Sequence, residues 1–431
     1  MLYLWYAMIR RILNYIGIIL IATMTMTFLM WAVYLIPAEK IRPNVAQSVK
    51  YRVIPSDVPY NLYGLGLDYF TDPLMFNNVT FLGRKPLTDA MLNPRSIKVE
   101  DWRPYDNLIL SLDMTTLDDA QVVDYGRYWH GYLIFLKPLF VFFNLQQIRF
   151  FNLCLQLVLF LIGLRLIYKR LGVRYCFCFL AAITFLNPLS SWQCMSYNNV
   201  MNVLFSAVLW VLLDKNPNNK YMFFIIGMVT IIFDCLSFPL VTLGFPLILF
   251  ISLYERSFKE NIVCVIENSF LWCLGYALMM MAKWGAATLL TGQNILQDGW
   301  QNVLYRTYDV SEFGEPLSLT MIIDTWRLNL SIIAKQSSLV VAVVFLASVA
   351  LSYFYRPYKF YKNPKALIFL GIFCMPFVWY GILVNHSLIH SHWTYKILSV
   401  SIYALLTAIV CCLKISQIKE NHKKRKSRKA V

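Results

Sequence analysis

The chain has 431 residues, 58% of them hydrophobic and only 14% charged, against about a quarter charged in ordinary soluble proteins. Its mean hydropathy is +0.55, and its apolar residues come in blocks about 20 long, the length that crosses roughly 30 Å of hydrocarbon as a helix. These features exclude a soluble globular domain and a membrane barrel, whose strands alternate and are far shorter, and the net charge of +16 does not mark a nucleic-acid partner, because much of it lies in one tail.

In chain order, the first apolar segment runs from about Ile12 to Ile36, behind Arg10 and Arg11. It is too long for a signal-peptide core and lacks a small-residue cleavage site, so it reads as an anchor within a first region, 1–37. Residues 38–147 form one long segment holding Glu39, Asp57, Asp68, Asp72, Asp89, Glu100, Asp101, Asp106, Asp113, Asp118, Asp119 and Asp124, about half of the 23 acidic residues. Its many Trp, Tyr, Phe and Leu residues argue against disorder. Near its end, Tyr132–Phe143 is apolar but short and interrupted by Lys137-Pro138, which suits an interfacial or re-entrant segment. Asn78-Val79-Thr80 also matches a glycosylation sequon.

Further apolar segments follow at about 149–167, 175–190, 198–213, 221–236, 238–254, 262–284, 331–354, 366–384 and 394–413. With the first they predict an all-α polytopic protein of about ten transmembrane helices, a bundle over 148–413, a second outer loop at 290–328, and a basic tail at 414–431. That tail carries Lys423, Lys424, Arg425, Lys426, Arg428 and Lys429, which suits a cytoplasmic anchor beside anionic lipid. Arg10/Arg11, Lys169/Arg170/Arg174, Lys215/Lys220, Arg256/Lys259 and Arg356/Lys359/Lys362/Lys365 fall on the tail's side, whereas the turns near 190–197, 235–237 and 385–393 contain no Lys or Arg. The positive-inside rule therefore places both termini in the cytoplasm and the acidic segment outside, in a plasma or inner membrane. No internal repeat is visible, unlike in many transporters. Eight of the ten cysteines sit in apolar segments or at their ends, as small hydrophobes do; only Cys194 and Cys235 stand where an outer-face pairing is conceivable.

Four groups of residues invite chemistry, all on the predicted outer side. Asp68 and Asp72, in Leu67-Asp68-Tyr69-Phe70-Thr71-Asp72, are four apart and would share a helix face; a carboxylate in an aromatic setting can have a raised pKa and act as a base. Asp118-Asp119 precedes Asp124, Arg127, His130 and four aromatic residues within Asp124–Tyr132, a mixture suited to phosphate recognition and to stacking, or to an interfacial aromatic belt. His386 and His390, with His392, Tyr395 and Lys396 following, have the i, i+4 spacing that holds a divalent metal on a helix; phosphate binding beside Lys396 fits equally. Asp234, Lys283 and Lys335 are isolated charges in or beside apolar segments, where charge is costly unless compensated. No phosphate loop, dinucleotide-binding glycine pattern or nucleophile elbow is present.

The order of parts, one helix, a long acidic outer loop and then a run of apolar helices, resembles the GT-C class of membrane glycosyltransferases, which includes protein O-mannosyltransferases and the aminoarabinose transferase of lipid A. The local match is Asp124–Asn152, where an aromatic, Pro-containing element leads into Arg149-Phe150-Phe151-Asn152, similar to the start of that class's second spanning helix. The acidic pair resembles the first-loop motif supplying the class's base, although that motif is often two adjacent acids, as in Asp118-Asp119. The resemblance covers the first 170 residues and beyond them only the topology. It implies an inverting transferase moving a sugar from a polyprenyl-phosphate donor to a glycan, lipid or protein acceptor on the outer face. Asp72 or Asp68 would be the base, and Arg127, Lys137, His386, His390 and Lys396 would hold the departing phosphate, with Asp119, Asp124, His130, Asp234 and Lys283 as further substrate-binding candidates. A divalent metal could share the work; nothing in the sequence requires one. A polysaccharide polymerase or ligase would place its large loop late in the chain. A transporter or flippase of envelope glycolipids would gather charge at the bilayer midplane, and a scaffold would leave the acidic and histidine clusters unexplained.

Overall fold

The computed structural model describes residues 2–51, 68, 70–97, 104–118, 121–307, 318–336 and 363–412. Asp119, residues 337–354 of the expected eighth span and the tail at 414–431 lie outside the described residues. The described residues form α1 (Leu2–Tyr34), α2 (Ala38–Lys50), α3 (Thr71–Thr80), α4 (Pro86–Leu92), β1 (Arg95–Ile97), α5 (Pro104–Asp113), β2 (Gln121–Val123), α6 (Leu133–Phe142), α7 (Leu145–Leu171), α8 (Val173–Thr184), α9 (Pro188–Ser191), α10 (Met195–Leu213), α11 (Met222–Phe233), α12 (Val241–Leu253), α13 (Phe258–Thr291), α14 (Ile295–Thr307), α15 (Leu319–Gln336), α16 (Pro364–Phe373), α17 (Met375–Ile382), α18 (Val384–Ile389), α19 (Ser391–Thr394), a 3-10 turn (Tyr395–Ile397) and α20 (Leu398–Cys412).

Six helical stretches among them are long and apolar enough to cross a membrane: Met8–Tyr34, Leu145–Leu171, Met195–Leu213, Phe258–Thr291, Pro364–Ile382 and Ser391–Cys412. The protein is thus an all-α multi-pass membrane protein, but the expected count of ten is not reached by length. The segments expected at 175–190, 221–236 and 238–254 are helices of 12, 12 and 13 residues, about 18–20 Å at 1.5 Å per residue, short of a ~30 Å core. The first of them stops where Asn187 takes a left-handed φ of 52° ahead of Pro188. By contrast α13 runs 34 residues, about 51 Å, so it extends past the hydrocarbon and reaches the 38–147 segment.

The described residues of that segment are folded. Five of its stretches are helical, and β1 pairs antiparallel with β2 in the register Arg95 to Val123, the one departure from an all-helical chain among the described residues. Helix ends leave carbonyls without partners, and here cations meet them. Arg42 donates to the Thr80 carbonyl at the end of α3 and to the Ser111 and Met114 carbonyls at the end of α5. Lys137 Nζ donates to Val79 O at 3.0 Å and lies 4.6 Å over the Tyr34 ring. Lys283 Nζ, fully buried in α13, donates to Met91 O at 2.8 Å at the end of α4 and lies 5.2 Å over the Trp129 ring.

In the bundle α11 and α13 touch backbone to backbone. A Cβ at Gly227 would stand 2.1 Å from Trp272 O, and one at Gly275 2.0 Å from Phe224 O, the close approach that small residues give membrane helices. The start of α7 is a capping box between Asn144 and Gln147. All ten cysteines are free thiols, Cys194 and Cys235 included.

Candidate functional site

Asp68 does not lie on a helix with Asp72; it stands ahead of α3, and its Oδ1 accepts from the Phe70 and Thr71 amides, starting the helix as a short acidic side chain does. Asp72 is the second residue of α3 and is 2% exposed. Both carboxylates nevertheless meet at one place, the N-terminus of α10. Asp72 Oδ1 accepts from the Met195 amide at 2.9 Å and the Ser196 amide at 3.4 Å, and Asp68 Oδ2 accepts from Ser196 Oγ at 2.8 Å. The helix there presents unpaired amides and a positive dipole end, which is why a carboxylate from another element settles on it.

The second oxygen of Asp72 is different. Oδ2 is buried with no hydrogen-bond partner among the described residues; the nearest cation, Arg149 Nη2, is 3.9 Å away while Arg149 Nε donates to Gln193 O. Burial above all, then the Asp68 charge, pushes the Asp72 carboxyl well above its usual range, against the pull of Arg149 and the two amides.

The 386–396 cluster comes to the same region. Lys396 is fully buried, donates to Tyr395 Oη at 2.8 Å and Leu186 O at 3.4 Å, and lies 4.6 Å over the Tyr197 ring, next along α10 from Ser196. The Asp68 charge acts on both Tyr197 and His392, and the Lys396 charge acts on His392 as well. From there the histidines form a row, with ring centroids 6.0 Å apart for His392 and His390 and 4.8 Å for His390 and His386. His390 stacks on Trp393 at 4.7 Å, and burial holds its pKa down at about 3.

At the far end of that row lies a second centre. His386 is held between Arg306 and the Leu236 carbonyl, to which Nε2 donates at 2.7 Å; its Nδ1 meets Arg306 Nη1. Burial first, and then the Arg306 charge, push its pKa well below the usual imidazole range. Both ring nitrogens are thus occupied, and no group of three His, Cys, Asp or Glu side chains among the described residues is placed to hold a metal ion. Arg306 and Arg127 border a cavity of about 170 Å³ walled by Tyr128, Tyr276, Trp284 and Trp379. Asp234 turns at the end of α11, where Oδ1 accepts from the Ser237 amide and hydroxyl; Oδ2 is buried without a partner among the described residues. Burial raises the Asp234 pKa to about 6, and its charge reaches Tyr276 on the cavity wall.

The remaining sequence candidates line neither centre. Asp124 accepts from Arg84 at 2.8 Å and Gln293 at 3.2 Å near the surface. His130, at a left-handed φ of 49°, bonds Tyr132 Oη and Tyr125 O, and burial lowers its pKa to about 3. Lys137 and Lys283 serve the helix ends already described, and Lys335 lies at the exposed end of α15. Ser196, Tyr276 and Arg306 escaped the sequence reading. Of these only Arg306 left a signal there, as a basic residue in a loop predicted to face outward. No protein-family model, curated protein or solved structure matches the chain.

Proposed function

We propose that the chain is an inverting membrane glycosyltransferase that takes a sugar from a polyprenyl-phosphate donor and passes it to an acceptor hydroxyl on the outer face. The observation that carries this reading is the buried Asp72 Oδ2, which has no hydrogen-bond partner among the described residues and lies beside a second carboxylate. Asp68 has both oxygens engaged, by amides on one and Ser196 on the other, so Asp72 is the base. Its raised pKa brings it towards the operating pH, where a base is most effective.

In the step, Asp72 takes the proton of the acceptor hydroxyl as that oxygen bonds to the anomeric carbon. The carbon–oxygen bond to the carrier breaks, and the lipid phosphate leaves with the electron pair. Lys396, a buried ammonium with only neutral hydrogen-bond partners among the described residues, stabilises the charge that develops on the phosphate. The apolar helices around it house the carrier's tail, and the positive-inside pattern supports the outer location of the acids.

The test is transfer from labelled polyprenyl-phosphate sugars by the purified full chain. Asp72→Asn is expected to lose a factor of about 100 or more while its melting curve stays near wild type, because the amide oxygen still accepts from Met195 and Ser196. Lipid-linked donors that neither bind nor turn over would sink the reading.

A further inference from the structure

We infer that the cavity between Arg127 and Arg306 is a second ligand site, separate from the acid pair, for an amphiphile with an oxyanion head and a short apolar stem. Its wall is built by four elements and two flanking leucines. The turn after β2 supplies Arg127 and Tyr128, α13 supplies Tyr276, Met280 and Trp284, α14 supplies Gly299, Val303 and Arg306, α17 supplies Trp379, and Leu236 and Leu383 close it.

Charge decides the head. Arg306 has only neutral hydrogen-bond partners among the described residues: Nε donates to Asn302 Oδ1 at 2.8 Å, and Nη1 meets His386. Because His386 Nε2–H is spent on Leu236 O, its Nδ1 is an acceptor; the imidazole therefore orients the guanidinium and leaves its charge uncancelled. Arg127 shares only Nη1 with Asp298, a half-exposed carboxylate, while its Nε is buried without a hydrogen-bond partner among the described residues, as is Tyr276 Oη. Two guanidiniums with donors to spare match the fork geometry of phosphate or carboxylate.

Volume decides the stem. A dry apolar cavity of about 150 Å³ accepts a benzene-sized guest, so about 170 Å³ takes roughly six carbons beyond the head. A longer chain would continue outward. The tight seat also explains Gly299: a Cβ there would stand 2.4 Å from the Trp284 ring, so α14 can cover the cavity only with glycine at that point.

The experiment is isothermal titration of the full chain in zwitterionic nanodiscs, with empty discs subtracted, using hexyl phosphate, hexanoate, hexanol and inorganic phosphate. Saturable binding of hexyl phosphate or hexanoate is expected, and the tighter of the two identifies the head. Hexanol and inorganic phosphate should each bind at least tenfold more weakly. Arg306→Gln, and Val303→Phe, which fills the cavity, should each weaken the best ligand at least tenfold with an unchanged melting temperature, whereas Asp72→Asn should leave its affinity as in wild type. Binding indifferent to both cavity substitutions, equal affinity for hexanol or free phosphate, or no binding of either acid would overturn the assignment. A loss of sugar transfer in Asp72→Asn with this binding intact would show the two sites to be independent.

Discussion

The two oxygens of Asp72 face different surroundings, and the difference can be measured through pH. Oδ1 rests on the amides that open α10, whereas Oδ2 is held in a buried place beside Asp68. Burial is the larger cause of the raised pKa and the Asp68 charge the next. Asp68→Asn should therefore move the acid limb of the transfer rate to lower pH, with a modest loss of rate; an unmoved limb would show that the two acids do not interact. Asp234 allows a stability test. Its pKa stands at about 6 in the folded protein against 3.8 for a free side chain, so folding binds a proton between those values. The cost of burying its charge is absent below about pH 4 and complete above about pH 6, amounting to at most about 3 kcal/mol for some two pH units. Asp234→Asn should accordingly melt higher than wild type at pH 8, and the advantage should vanish by pH 4. An advantage independent of pH would rule out the titration as its cause.

At the scale of elements, cations placed on helix ends hold the 38–147 segment together and tie it to the bundle. Lys283 reaches from α13 to the last carbonyls of α4, and Lys137 from α6 to the end of α3. Removing one partner of a buried charged hydrogen bond costs about 2–4 kcal/mol. Lys283→Met, which keeps the length of the stem, should destabilise by that amount and open the 86–97 stretch to protease before the bundle unfolds. Simultaneous loss of both regions would contradict a local clamp. The contact of α11 with α13 is a second such junction. Gly275→Ala sets a methyl against the Phe224 carbonyl, a backbone atom that cannot rotate away, and should cost several kcal/mol, read as a lower melting temperature. An alanine there without effect would mean that the two helices have room to part.

For the whole molecule, the distribution of basic residues makes a prediction that labelling can check. Lys85 and Lys169 are both exposed, and the positive-inside pattern sets them on opposite sides of the membrane. With the exposed Cys154, Cys273 and Cys374 replaced, Lys85→Cys should react with an impermeant maleimide on intact cells, and Lys169→Cys only after permeabilisation. The reverse pattern would invert the topology and move the acid pair to the cytoplasmic side.

The sequence by itself determined the solvent in which this chain folds. Blocks of apolar residues in α1, α7, α10 and α13 have no other way to satisfy their backbone than as helices in lipid, and that is a local property of each segment. The acidic character of the segment after α1 and the grouping of histidines near the last helix are equally local. Tertiary structure alone decided which charges meet. Asp68 and Asp72 find Met195 and Ser196 more than 120 residues away, because an unpaired helix N-terminus draws carboxylates whatever their place in the chain. Arg306 likewise reaches His386 across 80 residues. Meanwhile Lys137 and Lys283, which look like site residues for being charged in apolar surroundings, turn out to be engaged by helix ends, since a carbonyl without a partner attracts a cation as surely as a substrate does.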